Sequence, residues 1–207
     1  WRGSVARKTL AADEFNRAGG SSLGSNWDGG YGDDDFRIVS NAGRPEDPTS
    51  GSGRGVYNAL TVDDDQWGQV TVTALSPSTY SQFAVVLRGA ATPTFTGYYC
   101  YLERGGNFPA ICKHVAGVFT ALAYGSHTYS AGDELSAEVV GTGLELFING
   151  VSDVTSTDSA IASGKPGVGF YGPSVTDGTV IFDDFSMGDF NVPTGMVHRA
   201  LLLGVGT

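Results

Sequence analysis

Short runs of alternating apolar and polar residues, separated by turn residues, dominate this sequence. In the run 68–75, Val70 and Val72 alternate with Thr71 and Thr73. Successive side chains of a strand point to opposite faces, so this period of two predicts strands with one buried face. No long stretch has apolar residues at helical spacing. The sequence therefore predicts an all-β sandwich or barrel with little helix.

Two segments carry hairpin signals. The segment 96–117 predicts a hairpin about 105–107, and 133–156 predicts a three-stranded meander whose second turn is Asn149-Gly150. The two cysteines lie on opposite arms of the first hairpin. A register that pairs Cys100 with Cys112 permits a disulfide, and a shift by one residue forbids it. The sequence leaves both registers open.

The chain length and the net charge limit the possible classes of function. A chain of 207 residues fits one β domain, and its net charge of -10 argues against nucleic-acid binding, which requires a basic patch. No apolar run approaches the length that crosses a bilayer, so we expect no membrane insertion.

The segment 179–190, TVIFDDFSMGDF, reads as a strand with two aspartates in its middle. Strict alternation places Asp183 on one face and Asp184 on the other. Whichever face is buried, one carboxylate is then expected to go in with it. A buried carboxylate needs hydrogen bonds, a cationic partner or a metal to stay charged.

Six motifs occur in order along the chain: DEFNRAGGSSLGSNW, VVLRG, GYYCYLERGG, LELFINGV, SGKPGVGFYG and FDDFSMGDF. Together they resemble a laminin-G-like domain of the concanavalin A-like jelly-roll class, over residues 13–190. The resemblance implies a two-sheet antiparallel sandwich whose first and last strands are neighbours, with 13–15 beside 183–185. The pattern also resembles modules of bacteriophage minor tail proteins and other virion proteins.

With the terminal strands paired, four carboxylates would gather at one sheet margin, those of Asp13, Glu14, Asp183 and Asp184. Carboxylate and carbonyl oxygens are the ligands that Ca²⁺ prefers, so a structural Ca²⁺ is one hypothesis. The alternative is that Asp183 pairs with Arg17 or Arg88, or accepts backbone N–H bonds.

Glycan binding requires exposed aromatic rings beside polar groups. Tyr99 and Tyr101 share one strand face, with Trp67, Arg88 and Phe108 as candidate neighbours. The alternative is that these rings pack a core. A surface loop is predicted at 40–58, and it adds the candidate ligand-binding residues Arg44, Arg54 and Tyr57.

Glycosidases on this scaffold use paired carboxylates on one strand, and no such run occurs, so we expect no catalysis. We predict a structural or adhesion module of a phage virion, with host-surface glycans as candidate ligands. The arms 1–12 and 191–207 are expected to contact other virion subunits in an oligomeric assembly. The alternative is a secreted bacterial carbohydrate-binding module or a glycan-degrading domain.

Overall fold

The computed structural model describes residues 6–28, 36–45, 52–75, 81–90, 94–106, 108–172 and 180–190. Within these residues the regular structure is entirely β, as the alternation predicts. The strands are β1 (Arg7–Asp13), β2 (Trp27–Asp28), β3 (Phe36–Val39), β4 (Ala42–Pro45), β5 (Ser52–Tyr57), β6 (Gln66–Leu75), β7 (Gln82–Ala90), β8 (Thr96–Glu103), β9 (Phe108–Val115), β10 (Val118–Tyr124), β11 (Asp133–Val140), β12 (Gly143–Ile148), β13 (Val151–Thr157), β14 (Lys165–Tyr171) and β15 (Val180–Phe190).

The strands form two antiparallel sheets. Sheet A has the order β13-β12-β11-β6-β15-β4-β3, with β1 also paired to β15, and sheet B has the order β10-β9-β8-β7-β14-β5-β2. Their inner faces share one core, so the fold is the two-sheet jelly-roll sandwich that was predicted. No helix in the described part of the chain has the length and apolar character needed to span a bilayer.

Aromatic rings fill one end of the core between the sheets. Phe182 of sheet A stacks on Phe83 of sheet B with ring centroids 4.6 Å apart. Phe15 meets the same Phe182 edge-on at 5.3 Å. Edge-to-face and offset-stacked rings are favoured geometries, and each ring brings a large apolar area. The Phe83 contact ties the last strand to the opposite sheet, and Phe15, just after β1, packs on the same Phe182 ring.

The N-terminal strand corrects one predicted boundary. Residues 7–12 were expected in an arm, but they belong to β1, which pairs along β15 from Arg7↔Phe190 to Asp13↔Phe185. Strand pairing satisfies the backbone polar groups of both strands, and Leu10 and Ala11 pack against the core. The expectation that 13–15 lies beside 183–185 is confirmed. The arm 191–207 lies outside the described residues.

A β-bulge explains the two aspartates of the last strand. The pairing of β15 with β6 shifts between Asp183 and Ser186, and Asp184 has a positive φ of 53°. The extra residue resets the alternation, so that Phe182 and Phe185 are both buried while Asp184 is exposed. The expectation that one carboxylate must be buried with the core is therefore wrong.

The predicted loop 40–58 is largely strand. It contains β4 and β5, which pair with β3 and β14 respectively. The reason is packing, because a Cβ on Gly43 would stand 2.3 Å from the Phe182 ring. Glycine here makes room for a core ring and does not mark a loop. Residues 46–51 of this segment lie outside the described residues.

Both predicted hairpins form. Asn149 and Gly150 have φ of 52° and 75°, as a type I′ turn requires, and Ile148 pairs with Val151 across the turn. In the 96–115 hairpin, Cys100 pairs with Ile111 and Cys112 with Tyr99. The two thiols therefore face opposite sides of sheet B, and both cysteines are free and buried.

Candidate functional site

The outer face of sheet B carries a second apolar cluster, separate from the core between the sheets. Its buried members are Ala84, Val86, Phe95, Tyr99, Tyr101, Ala110 and Cys112, with Phe108 packed beside them. The period of two explains the division, because Tyr98, Cys100 and Leu102 of the same strand belong to the inner core. Sheet B is thus apolar on both faces.

Small residues let an aromatic ring lie across this outer face. A Cβ on Gly169 would stand 1.8 Å from the Tyr99 hydroxyl oxygen, so the Tyr99 ring occupies the space above that glycine. The hydroxyl donates a hydrogen bond to the Gly53 carbonyl at 3.2 Å. The Arg54 guanidinium lies over the rings of Phe95 and Tyr99, 4.5 and 5.5 Å from their centroids. This cation–π stack fixes one side of the outer face.

A groove of about 370 Å³ opens on the other side of the outer face. It is lined by Gln82, Tyr101, Glu103, Gly105, Gly106, Phe108, Phe119 and Tyr124. Phe119 and Tyr124 of β10 form one rim of the groove. A bulge between Ala121 and Ala123 in the pairing of β10 with β9 places Tyr124 opposite Ala110 of the outer face. Phe119 and Tyr124 are 52% and 62% exposed, so both rings are accessible to a ligand.

The polar groups of the groove are arranged around Glu103. This residue is only 4% exposed, and its carboxylate accepts hydrogen bonds from the Gln82 amide at 2.7 Å and from the Gly106 backbone N–H at 3.1 Å. Two donors on a buried carboxylate satisfy its charge and fix its position. Glu103 therefore holds the Gln82 amide at the groove wall.

The Tyr101 hydroxyl completes the polar set. Tyr101 is 2% exposed, and its hydroxyl makes no hydrogen bond to any residue of the described structure. Burial raises the pKa of Tyr101, and the nearby Cys112, Glu103 and Tyr124 add to the effect, so the phenol stays protonated. Buried tyrosine hydroxyls usually have a partner. This hydroxyl can exchange hydrogen bonds with a ligand in the groove.

His114 lies among aromatic rings between the two parts of the face. Its ring contacts Phe95, Tyr99 and Phe119 at centroid distances of 5.6, 5.4 and 5.6 Å. Burial lowers the pKa of His114 to about 4, and the Arg54 charge adds to the effect. The imidazole is therefore neutral at physiological pH and acts here as an aromatic packing group.

The structure places some of the predicted ligand-binding residues on the outer face of sheet B and the others elsewhere. Tyr99 and Tyr101 share the outer face of sheet B with Phe108 and Arg54, as predicted for Phe108. The prediction that Trp67 neighbours them is wrong, because Trp67 lies in sheet A. It is buried beneath Arg7, whose guanidinium is 5.1 Å from the indole centroid, and its Nε1 donates to the Asp189 carbonyl.

Arg88, Tyr57 and Arg44 also lie away from the groove. The Arg88 guanidinium is buried and donates to the carbonyls of Asp64, Ile161 and Gly141, each at 2.9 Å. Tyr57 packs in the inner core against Trp27. Arg44 lies on β4 of sheet A, opposite Arg37 of β3. Arg88 and Tyr57 were predicted to bind ligand, and the structure gives them positions in the scaffold instead.

The terminal carboxylates lie close together, but both oxygens of Asp13 already accept hydrogen bonds within the protein. Its two oxygens accept four hydrogen bonds, at 2.6 and 3.0 Å from Arg17, 2.9 Å from the Trp27 indole and 2.9 Å from the Phe15 N–H. Burial favours the neutral acid, yet these bonds outweigh it and hold the pKa of Asp13 below its usual value. Arg17 thus pairs with Asp13, so the suggested pairing of Arg17 or Arg88 with Asp183 is wrong.

Asp183 accepts the backbone N–H of Asp184 at 2.9 Å, which is the remaining alternative drawn from the sequence. Burial raises the pKa of Asp183, and the neighbouring charges of Asp184, Glu14 and Asp13 raise it further. Among the described residues, no three His, Cys, Asp or Glu side chains form a group that could hold a metal ion. The geometry gives the predicted Ca²⁺ at Asp13, Glu14, Asp183 and Asp184 no support.

The carboxylates on the outer face of sheet B do not form a glycosidase pair. In the described part of this face they are Glu103 on β8 and Asp28 on β2, the latter paired with Val56. Four strand spacings separate β8 from β2, which is about 19 Å. Retaining glycosidases need about 5–5.5 Å and inverting enzymes up to about 9.5 Å.

No protein-family model and no curated protein matches this sequence. Solved structures do match in fold. A carbohydrate-binding module, CBM66 from Bacillus subtilis, matches with a TM-score of 0.61 and 11% identity over 80% of this chain and 94% of that chain. The exoplasmic/lumenal domain of VIP36, in a Ca²⁺/Man3GlcNAc-bound form, matches with 0.61 and 11% over 81% and 84%. A β-glucanase from Bacillus licheniformis matches with 0.58 and 8% over 87% and 97%.

Identities this low establish a shared jelly-roll fold and nothing finer. The fold hosts binding modules, lectins and glycosidases alike, so the function has to be argued from the site. None of these three proteins is described as a virion component, and the virion role stays a prediction.

The sequence reasoning missed six groove residues: Gln82, Glu103, Gly105, Gly106, Phe119 and Tyr124. The alternation of β8 extends from Tyr99 and Tyr101 to Glu103, so this one signal was present in the sequence. No sequence signal indicated Tyr124, because only the bulge in β10 brings it to the same face as Phe119.

Proposed function

We propose that this chain is a non-catalytic carbohydrate-binding module whose ligand site is the groove on the outer face of sheet B. A sugar ring has an apolar face of C–H groups and an edge of hydroxyls. It therefore fits aromatic rings that are flanked by fixed donors and acceptors. Phe119 and Tyr124 supply exposed rings, and Gln82 and the Tyr101 hydroxyl supply the polar contacts.

One observation carries the proposal: Tyr101 lines the groove at 2% exposure, and its hydroxyl has no hydrogen-bond partner among the described residues. A groove of about 370 Å³ is within the range of small-ligand sites, which combine apolar walls with a few convergent polar groups. The Glu103 carboxylate in the wall disfavours anionic ligands, since like charges repel. The expected ligand is a neutral glycan.

Binding to a panel of neutral and acidic polysaccharides, measured by affinity electrophoresis and calorimetry, tests the proposal. Tyr124→Ala should weaken binding about tenfold, as expected for loss of about 1.4 kcal/mol of stacking. Tyr101→Phe should weaken it about fivefold, the value of one hydrogen bond near 1 kcal/mol.

Tyr171→Ala is the matched control, because Tyr171 is 49% exposed on β14 of the same sheet but does not line the groove. It should leave the affinity unchanged. No release of reducing ends is expected from any polysaccharide. Equal losses for Tyr124→Ala and Tyr171→Ala, or binding to none of the neutral glycans, would refute the site. The virion setting and the alternative secreted setting both remain predictions.

A further inference from the structure

Strand β10 is an edge of sheet B, and its segment Val118–Ala121, before the bulge, lacks the usual protection. Among the described residues it pairs with β9 on one side and with no strand on the other. Val118 is 66% exposed, and Phe119 and Tyr124 are also more than half exposed. Natural edge strands are normally short, charged, bulged or covered, because free N–H and C=O groups recruit other strands.

Two other sheet edges in the described structure are protected. At the far end of sheet B, β2 has two residues. In sheet A, the edge strand β13 carries Asp153, and a bulge interrupts its pairing with β12. By contrast, no charged residue occurs from Val115 to Gly125, in a chain that has 34 Asp, Glu, Lys and Arg residues in total (12 + 22).

The turn that begins β10 fixes which backbone groups face outward. Ala116 and Gly117 have φ of 49° and 79°, so they form a two-residue type I′ turn and Val118 is hydrogen-bonded to Val115. Hydrogen-bonded and non-hydrogen-bonded pairs then alternate along an antiparallel ladder. The N–H and C=O groups of Phe119 and Ala121 therefore point away from β9. The bulge in β10 follows Ala121, so Val118–Ala121 is regular.

We propose that β10 pairs antiparallel with β10 of a second copy of this chain, with Thr120 on the two-fold axis. In this register Phe119 lies opposite Ala121 of the copy, which satisfies the outward backbone groups of both residues on both strands. A two-fold axis makes the contact closed and self-complementary. The two copies of sheet B then form one continuous sheet.

Charge favours a second copy as the occupant. The chain has a net charge of -10, so two copies repel each other over most of their surface. The repulsion is weakest at β10, which carries no charged residue. A basic partner would gain nothing from this neutral strand. The contact is small, below the roughly 1,200 Å² typical of stable interfaces, so the dimer is weak and concentration-dependent. Added salt screens the net charges and strengthens it.

Disulfide trapping tests the register. Thr120 is exposed, and on the two-fold axis it forms a non-hydrogen-bonded pair with its copy, with Cα atoms about 4.5 Å apart. This distance lies within the range that a disulfide spans. Thr120→Cys should give a covalent dimer on mild oxidation with diamide. Val118→Cys is the control, because its two copies lie about 14 Å apart although the side chain is more exposed.

Sedimentation of the intact chain provides the second test. The wild type should show a monomer–dimer equilibrium that shifts towards the dimer with added salt. Thr120→Lys should abolish the dimer by placing two charges at the axis, while Val151→Lys, at a site 69% exposed on the neighbouring β12–β13 hairpin, should retain it. A wild type that is monomeric at all concentrations, or equal crosslinking of the two cysteine variants, would overturn the proposal. Thr120 points away from the groove face, so glycan binding is an independent readout.

Discussion

Replacing Arg88 with alanine should destabilise the fold more than any surface substitution. The Arg88 side chain is 5% exposed, and its guanidinium donates to three carbonyls at 2.9 Å, from the segments around Asp64, Gly141 and Ile161. The Arg88 N–H also donates to the buried Gln66 side chain at 2.9 Å. One residue of β7 thus anchors two segments that connect the sheets, β5–β6 and β13–β14, and the β11–β12 turn of sheet A.

The magnitude follows from the three side-chain bonds. Hydrogen bonds to a charged group contribute about 1.5–3 kcal/mol each, and the lower value applies because water reaches the freed carbonyls near the surface. The expected loss is about 4.5 kcal/mol for Arg88→Ala, a large part of a typical stability of about 5–15 kcal/mol. For a chain of this length that corresponds to a fall in Tm of about 9–18 °C. Arg88→Lys should be more stable than Arg88→Ala but less stable than the wild type, because one ammonium cannot reach all three carbonyls that the planar guanidinium contacts.

Urea unfolding followed by tryptophan fluorescence measures these losses. Lys8→Ala is the control, since the Lys8 side chain is 52% exposed and its ion pair with Asp189 is 3.8 Å long. Exposed pairs of this kind contribute about 0–1 kcal/mol. If Arg88→Ala costs no more than Lys8→Ala, the three carbonyl contacts do not stabilise the fold and the argument fails.

Four further predictions concern the terminal strands and the segment 191–207. The raised pKa of Asp183 means that its ionised form destabilises the fold above that pKa, so Asp183→Asn should raise Tm at neutral pH and lose this effect well below the ordinary pKa of 3.8. The lowered pKa of Asp13 has the opposite sign, so Asp13→Asn should lower Tm at neutral pH, with the loss disappearing as the pH falls through the folded-state pKa. EDTA should leave Tm unchanged, because Asp13 is committed to Arg17 and Trp27; a rise in Tm with Ca²⁺ that Asp183→Ala removes would establish the metal site instead. Deleting 191–207 should leave residues 13–190 folded by circular dichroism while weakening assembly with other virion subunits. Unchanged assembly would contradict the predicted docking role of this apolar segment.

Local alternation was enough to predict an all-β sandwich or barrel and the two hairpins, and the two-sheet jelly roll came from the resemblance. The meander 133–156 and the hairpin about 105–107 contain their own turn residues, so the signal lies within a few residues. The pairing of β1 with β15 joins the two ends of the chain, and it came from the resemblance to a known fold. No short-range pattern encodes it.

Long-range side-chain contacts account for most of the failures. Arg88 looked like an exposed ligand residue because arginine is rarely buried, and only the three carbonyls from distant segments make burial favourable. Tyr99 and Tyr101 were weighed between a core and a binding face. They are buried, yet they lie outside the inner core, because a flat ring can cover the small residues of an outer sheet face.

Two bulges shift the strand alternation in ways that the sequence does not display. In β15 the bulge at Asp183 and Asp184 turns both carboxylates away from the core while Phe182 and Phe185 stay in it. In β10 the bulge after Ala121 brings Tyr124 to the groove face. Both follow from one rule: an inserted residue reverses the face of every residue beyond it. The β10 bulge therefore links the two proposals, because it supplies the groove with its second exposed ring and limits regular edge pairing to Val118–Ala121. Removing Leu122 should make β10 regular while Tyr124 stays opposite Ala110, so dimerisation should strengthen and glycan affinity should be retained. Unchanged dimerisation, or a loss of glycan affinity, would contradict this account of the bulge.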